Sequence, residues 1–370
     1  MKAQQDTNGW TNTNLDLLRA TAVLLVFAGH LTRFFNVDQF ASVPLIGLGG
    51  LGVAIFFVHT ALVLMMSLER EAAKSKVLFV PFMIRRCFRI YPLSMFVVLA
   101  VAAFHIPQAT ISPAHFAGWN FDAPDLFSNL FLVQNLSFRV PLVGPMWSLA
   151  YELEMYLLLP AIFLFLRRSR WTWQLGVALA VVVSVCTAIV QSSATRNLAF
   201  YAPCFLAGIL AYELRSYRRG KVPSWLWPVF VGGLAVVYLK SAMTRWDEWL
   251  VCLMLGLAIP VFARITSRAV NKTSDLIAKY SYGIYLTHFF VIWLAFEKLA
   301  GLPLAWKIGV FVSLAAALPV IFYHLLEEPM IQVGKRVAAG FIAERESRDA
   351  RRSLGVEGGV GATALESGVR

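Results

Sequence analysis

Ten apolar runs divide the chain, at roughly 15–34, 45–67, 82–105, 147–166, 172–191, 197–213, 224–240, 247–264, 280–299 and 304–326. A helix needs about 20 apolar residues to cross the hydrocarbon layer of a bilayer. An open sheet or loop cannot satisfy its backbone polar groups there. The runs therefore predict an all-α integral membrane protein of about ten transmembrane helices. Composition agrees: 58% of the residues are hydrophobic and 15% charged, against about 25% charged in an average soluble domain. So few polar residues cannot cover a soluble surface, which excludes a soluble enzyme, a disordered chain and a nucleic-acid module. Run 197–213 is the weakest, being short and holding Pro203 and Gly208.

The net charge of +12 sits between the runs. With the N-terminus and every second loop placed inside, 26 of the 33 lysines and arginines are cytoplasmic and 7 are outside. That is the positive-inside bias, with both termini in the cytoplasm, so the basic balance reports topology and not nucleic acid. The expected organisation is a cytoplasmic segment 1–14, a ten-helix domain 15–334 and a solvated, disordered tail 335–370. No small-x-small cleavage site follows the first run, which reads as a retained span. Loop 106–146 carries five prolines and is long for a connector, so it is expected to pack over a site. Pro329, after Glu327-Glu328, is expected to stop the last helix. Cys87, Cys186, Cys204 and Cys252 are scattered, with no CxxC or Cys/His cluster. They read as small packing residues, and no metal site is expected.

Ionisable groups inside spans are costly and so are functional candidates. Arg19 and His30 are 11 residues apart on the first run. Three turns plus about 20° put them on one helical face, about 16 Å apart along the axis. Ala28-Gly29 before the histidine would let a substrate approach. The competing readings are a snorkelling arginine and a histidine hydrogen-bonded between helices. Arg85, Arg86 and Arg89 share faces at i, i+3 and i, i+4. Positive-inside charge explains them; so does a bidentate clamp for a phosphorylated donor. In Trp147-Ser148-Leu149-Ala150-Tyr151-Glu152, Ser148 and Glu152 face together with Tyr156 one turn on, while Glu154 lies about 200° away. Tyr285 and His288 form an i, i+3 stripe. His59, in mid-span, is a second site residue or a packing histidine.

Together these segments resemble the acyltransferase 3 family of membrane-bound O-acyltransferases, from about residue 14 to 336. Arg19 and His30 match its R-x10-H signature, Arg86-Cys87-Phe88-Arg89 its R-x-x-R, and Trp147-Ser148 through Glu152 its W-S-x-x-x-E. Ser281-Tyr282-Gly283-Ile284-Tyr285-Leu286-Thr287-His288 and the closing Glu328-Pro329 match its C-terminal pieces. The chain departs from the family pattern at Ala54, where many members carry an acid. Thr60-Ala61 stands where Ser-Gly is usual, and Leu153 where a glutamate is frequent. These changes leave the donor side intact and bear on the acceptor.

The resemblance implies transfer of an acyl group, usually acetyl, from cytoplasmic acyl-CoA to a hydroxyl of a surface glycan or lipid-linked sugar. Acyl-CoA is then a co-substrate, with no permanently bound cofactor. An unperturbed imidazole titrates near neutrality, so His30 would take the hydroxyl proton; a transient acyl-histidine is the other route. Ser148 and Glu152 would join the catalytic centre. Arg19, Arg85, Arg86 and Arg89 would hold the coenzyme phosphates, and Trp147, Tyr285, His288 and His59 the acceptor. The expected partners are membrane lipids, the glycan acceptor and a separate extracytoplasmic transferase, with no nucleic acid; the expected location is a bacterial inner membrane. The rival class is a transporter of lipid-linked sugars or small organic anions, whose intramembrane histidines and acids would look the same.

Overall fold

A computed structural model describes residues 2–106, 121–168, 172–193, 197–215 and 221–353. The helices are α1 (Lys2–Phe34), α2 (Leu48–Ala72), α3 (Phe79–Ala103), α4 (Ala123–Leu130), α5 (Met146–Arg168), α6 (Thr172–Ser192), α7 (Ala202–Leu214), α8 (Trp227–Lys240), α9 (Arg245–Ala258), α10 (Arg268–Ile292), α11 (Leu304–Phe322) and α12 (Glu328–Ser353). The one small sheet among the described residues pairs β1 (Gln39–Phe40) with β2 (Val43–Pro44), antiparallel, in the turn between α1 and α2.

Among the described residues, five helices are long and apolar enough to cross a membrane: Thr13–Phe34, Leu48–Ala72, Phe79–Ala103, Met146–Arg168 and Leu304–Arg352. Each apolar run falls on a helix, but three helices are shorter than a full span. Helices α7, α8 and α9 have 13, 14 and 14 residues, about 20 Å each at 1.5 Å per residue. Proline sets their limits. Pro203 and Pro228 sit in the first turns of α7 and α8, and Pro260 follows α9, where a missing N–H costs least or ends the ladder.

The polar first residues are helical, since α1 begins at Lys2, ahead of the apolar span from Thr13. One expectation about a helix end is corrected. Pro329 does not stop the last helix. A π-helical turn, Tyr323–Glu327, joins α11 to α12, with the N–H of Glu328 donating to the carbonyl of Tyr323 five residues back. That widened turn absorbs the proline, whose ring and missing N–H break only a regular i to i−4 ladder. The helix then runs to Ser353 along α3, with Gly334 against Phe88 and Ser75 Oγ donating to Glu346 at 3.0 Å. The tail expected from 335 therefore starts as helix; residues 354–370 lie outside the described residues.

Helix α2 is the core element. Most of it is buried, from Leu51 to Leu68, and it packs on α1, α5, α7 and α9. Contact with α7 is backbone to backbone: a Cβ on Gly208 would lie 2.1 Å from the carbonyl oxygen of Val58. Gly208→Ala must push the two helices apart. We expect it to cost roughly 1–3 kcal/mol, read as a lower melting temperature of the detergent-purified protein; an unchanged melting temperature would show that α7 yields freely. All four cysteines are free, and Cys252 Sγ donates to the carbonyl of Ala54 at 3.8 Å, a packing role as expected.

Of loop 106–146, residues 107–120 lie outside the described residues. The rest is folded. Asp122 caps α4 and pairs with Arg139 at 2.9 Å. The backbone N–H of Asp125, and then Arg139, hold the Asp122 carboxyl below the usual carboxylate range. Buried Asn129 and Gln134 tie the segment to Val140, Leu142 and Met146. This sets the start of α5, where Ser148 lies.

Candidate active site

Two helices carry the site in parallel stripes. On α10, Ser281, Tyr285 and His288 fall at i, i+4 and i+7, one face of a helix, and that face meets the Arg19–His30 face of α1. Arg19 Nε donates to Ser281 Oγ at 2.6 Å. At the far end the rings of His30 and His288 lie 5.2 Å apart, tilted by 33°. The spacing of Arg19 and His30 thus places one residue at each end of a path about 16 Å long.

The Arg19 end opens into a cavity of about 320 Å³. Arg19, Arg70, Arg89 and Lys279 supply four cations on its wall, against Asp16 and Asp275, with His59 and Tyr323 completing its polar lining. Positive charge is in excess, and a guanidinium gives an anion two parallel donors. The R-x-x-R arginines separate here. Arg89 lines the cavity; beside it, Tyr282 OH donates to the carbonyl of Ile90 at 2.7 Å and ties α10 to α3. Arg86 points to Phe82, 5.9 Å from its ring centroid, and its Nε is buried with no partner among the described residues. Arg85 is ion-paired with Glu71. One expected donor ligand of these three is therefore on the cavity, one is turned inward and one is already paired.

Glu152 is buried on α5. Tyr156 OH donates to its Oε1, and Thr60 Oγ1 reaches the same oxygen at 3.5 Å. Its carboxyl lies in the field of Arg19, Arg86 and Arg89. Glu154 faces elsewhere and is bonded to Asn135, as the 200° offset requires. Ser148 Oγ and Tyr285 OH are hydrogen-bonded at 2.5 Å, one donating to the other, and the two oxygens lie 3.2 and 2.9 Å from the carbonyl of Pro145, which accepts the remaining hydrogen. This cluster fixes α5 against α10 between the two ends.

Phe56 sits at the centre. Its ring stacks on Tyr285 at 6.2 Å and 14°, lies under the Arg19 guanidinium at 5.7 Å and is 6.1 Å from His59. His59 is buried, its Nδ1 without a partner among the described residues, and lines the arginine cavity. It stands with the expected donor ligands rather than with His30. Trp147 is not at the histidine pair; it packs on Tyr201 at 5.3 Å and Tyr151 at 6.2 Å. Gly29 does not open a path to His30, because a Cβ there would lie 2.3 Å from the backbone nitrogen of Gly49. Its hydrogen is spent on close packing of α1 on α2, as small residues do between membrane helices.

Asp16, Arg70, Asp275, Lys279 and Tyr323 complete the cavity and were not singled out in the sequence. Two of them follow from periodicity: Asp16 precedes Arg19 by one turn, and Arg70 follows His59 by three. Lys279 and Asp275 sit in a polar stretch that reads as a loop but forms the first turns of α10. Glu327, in the π-turn, is 1% exposed and neither carboxylate oxygen has a partner among the described residues. No group of three or more His, Cys, Asp or Glu could hold a metal ion among the described residues.

Apolar helices long enough to span, with a cationic cavity and the His30–His288 pair between them, fit a multi-pass membrane protein. The chain belongs to the acyltransferase 3 family: the family model described as an acyltransferase domain matches residues 12–324, most of the chain. No curated protein and no solved structure matches it.

Proposed function

We propose that this protein transfers an acyl group, acetyl in the first instance, from cytoplasmic acyl-CoA to a hydroxyl of a glycan or lipid-linked sugar. The observation that carries this reading is the cationic cavity at one end of the facing stripes of α1 and α10, with the His30–His288 pair at the other. The coenzyme phosphates bind Arg19 and Arg89, with Arg70 and Lys279 nearer the mouth. The pantetheine arm lies along the stripe and brings the thioester to His30. His30 takes the proton of the acceptor hydroxyl as its oxygen attacks the thioester carbonyl. In this reading the chain spans a bacterial inner membrane ten times, with both termini in the cytoplasm. A separate extracytoplasmic transferase finishes delivery if the final acceptor lies beyond the outer face.

The test uses washed membranes with and without the protein, acetyl-labelled acetyl-CoA and a surface-glycan extract. Alkali-labile label in the glycan fraction, dependent on the protein, supports an O-acyltransferase. Membranes that bind no coenzyme A and pass no label, but take up lipid-linked sugar or organic anions, would replace it with the transporter reading.

A further inference from the structure

His288 holds a lone pair that none of the described residues uses. Its Nδ1 lies 3.2 Å from the carbonyl oxygen of Ile284, one turn back on α10. A carbonyl only accepts, so Nδ1 carries the hydrogen and Nε2 of the neutral ring is the acceptor. Nε2 is buried with no partner among the described residues, on a residue 2% exposed. A buried acceptor left unpaired is costly, and Phe27 and Phe289 wall this ring at 5.8 and 4.8 Å. The ring of His30 lies 5.2 Å away between centroids, tilted by 33°. That separation admits one N–H to N hydrogen bond of about 3 Å between the two rings. His30 itself is half-buried and turns its Nε2 edge toward Gly49 at the start of α2.

We infer that His288 is the positioning residue of His30 and the store for the transferred proton. The inference rests on the acyltransferase reading above. As the acceptor oxygen bonds to the acyl carbon, its proton passes to one nitrogen of His30. The hydrogen on the other nitrogen of His30 passes to Nε2 of His288. The carbon–sulfur bond breaks, and coenzyme A leaves as thiolate. The proton returns through His30 to that thiolate, giving ester, thiol and two neutral histidines. A base held in one tautomer by a third group is the logic of nucleophile–base–orienter triads; here the orienter is an imidazole fixed by a backbone carbonyl.

Two isosteres separate this role from packing. His288→Asn keeps an amide N–H where Nδ1 bonds Ile284 and deletes Nε2. His288→Gln puts its amide group where Nε2 stands. We expect Asn to lower kcat for glycan acetylation about 100-fold, the scale of acid–base assistance, with KM for acetyl-CoA within about twofold. Gln should retain about tenfold more activity than Asn. The double variant His30→Ala/His288→Asn should be no slower than His30→Ala alone, because residues acting as one unit are not additive. Expression and melting temperature of both isosteres check that they fold. If Asn works like wild type, if it moves KM alone, or if the double variant multiplies the two losses, His288 is a packing residue and the inference falls while the acyltransferase reading stands. If wild type itself passes no acetyl group, both fall together.

Discussion

Replacing His30 by alanine is expected to lower acetyl transfer about 10²- to 10⁴-fold, the range for losing a positioned general base. Binding of acetyl-CoA to the same membranes should change by less than about twofold. The split follows from distance: the cationic cavity is built around Arg19, Arg70, Arg89 and Lys279, and His30 lies 11 residues beyond Arg19 on α1, about 16 Å along the axis. Packing points the same way. His30 contacts His288 and Phe289 of α10, whereas α1 is held on α2 by Gly29 and Gly52, so removing the imidazole leaves the helix contact in place. The measurement is initial rate at saturating donor beside equilibrium donor binding. A loss confined to binding would move the chemistry away from His30. Undiminished transfer would leave His59 as the remaining buried histidine with an unused nitrogen on the donor side.

What the sequence made legible was whatever depends on period and cost. Apolar length located the helices, because backbone groups in lipid leave no other choice. The period of 3.6 placed Arg19 and His30 on one face and separated Glu154 from Glu152, and both hold. What could not be read was choice of partner. Three arginines within five residues carry equal signals, and only the fold shows Arg85 beside Glu71, Arg86 beside Phe82 and Arg89 on the cavity. Gly29 looked like room for a substrate because a missing side chain does not say what fills its place; here it is the backbone of Gly49. Pro329 looked like a stop because the rule assumes a regular ladder, and the π-turn before it is not one. His59 could not be assigned to donor or acceptor side, since that depends on how α2 is rotated against α1 and α10. The fold puts it on the wall of the arginine cavity, and Phe56 marks the side of α2 that faces inward.

The separation of the arginines has a direct consequence for donor affinity. Arg89→Gln is expected to weaken acetyl-CoA binding by about 10- to 100-fold, because a hydrogen bond to a charged group contributes about 1.5–3 kcal/mol and each 1.4 kcal/mol is about tenfold. Arg85→Gln should change affinity by less than about twofold, since its guanidinium is engaged by Glu71 and both side chains are about one-fifth exposed, at 21% and 22%. Partly exposed pairs contribute little either way. Arg89→Lys should recover only part of the loss, because an ammonium lacks the bidentate fork. Arg86→Gln tests a different quantity. Arg86 lies in the field of Tyr156, Arg89, Glu71 and Glu152, so its removal should lower thermal stability and transfer rate before it alters donor affinity. Isothermal titration of acetyl-CoA into the purified protein reads the four variants on one scale. If Arg85→Gln costs affinity and Arg89→Gln does not, the coenzyme lies on the outer face of α3, and the cavity between α1, α2 and α10 is not the donor site.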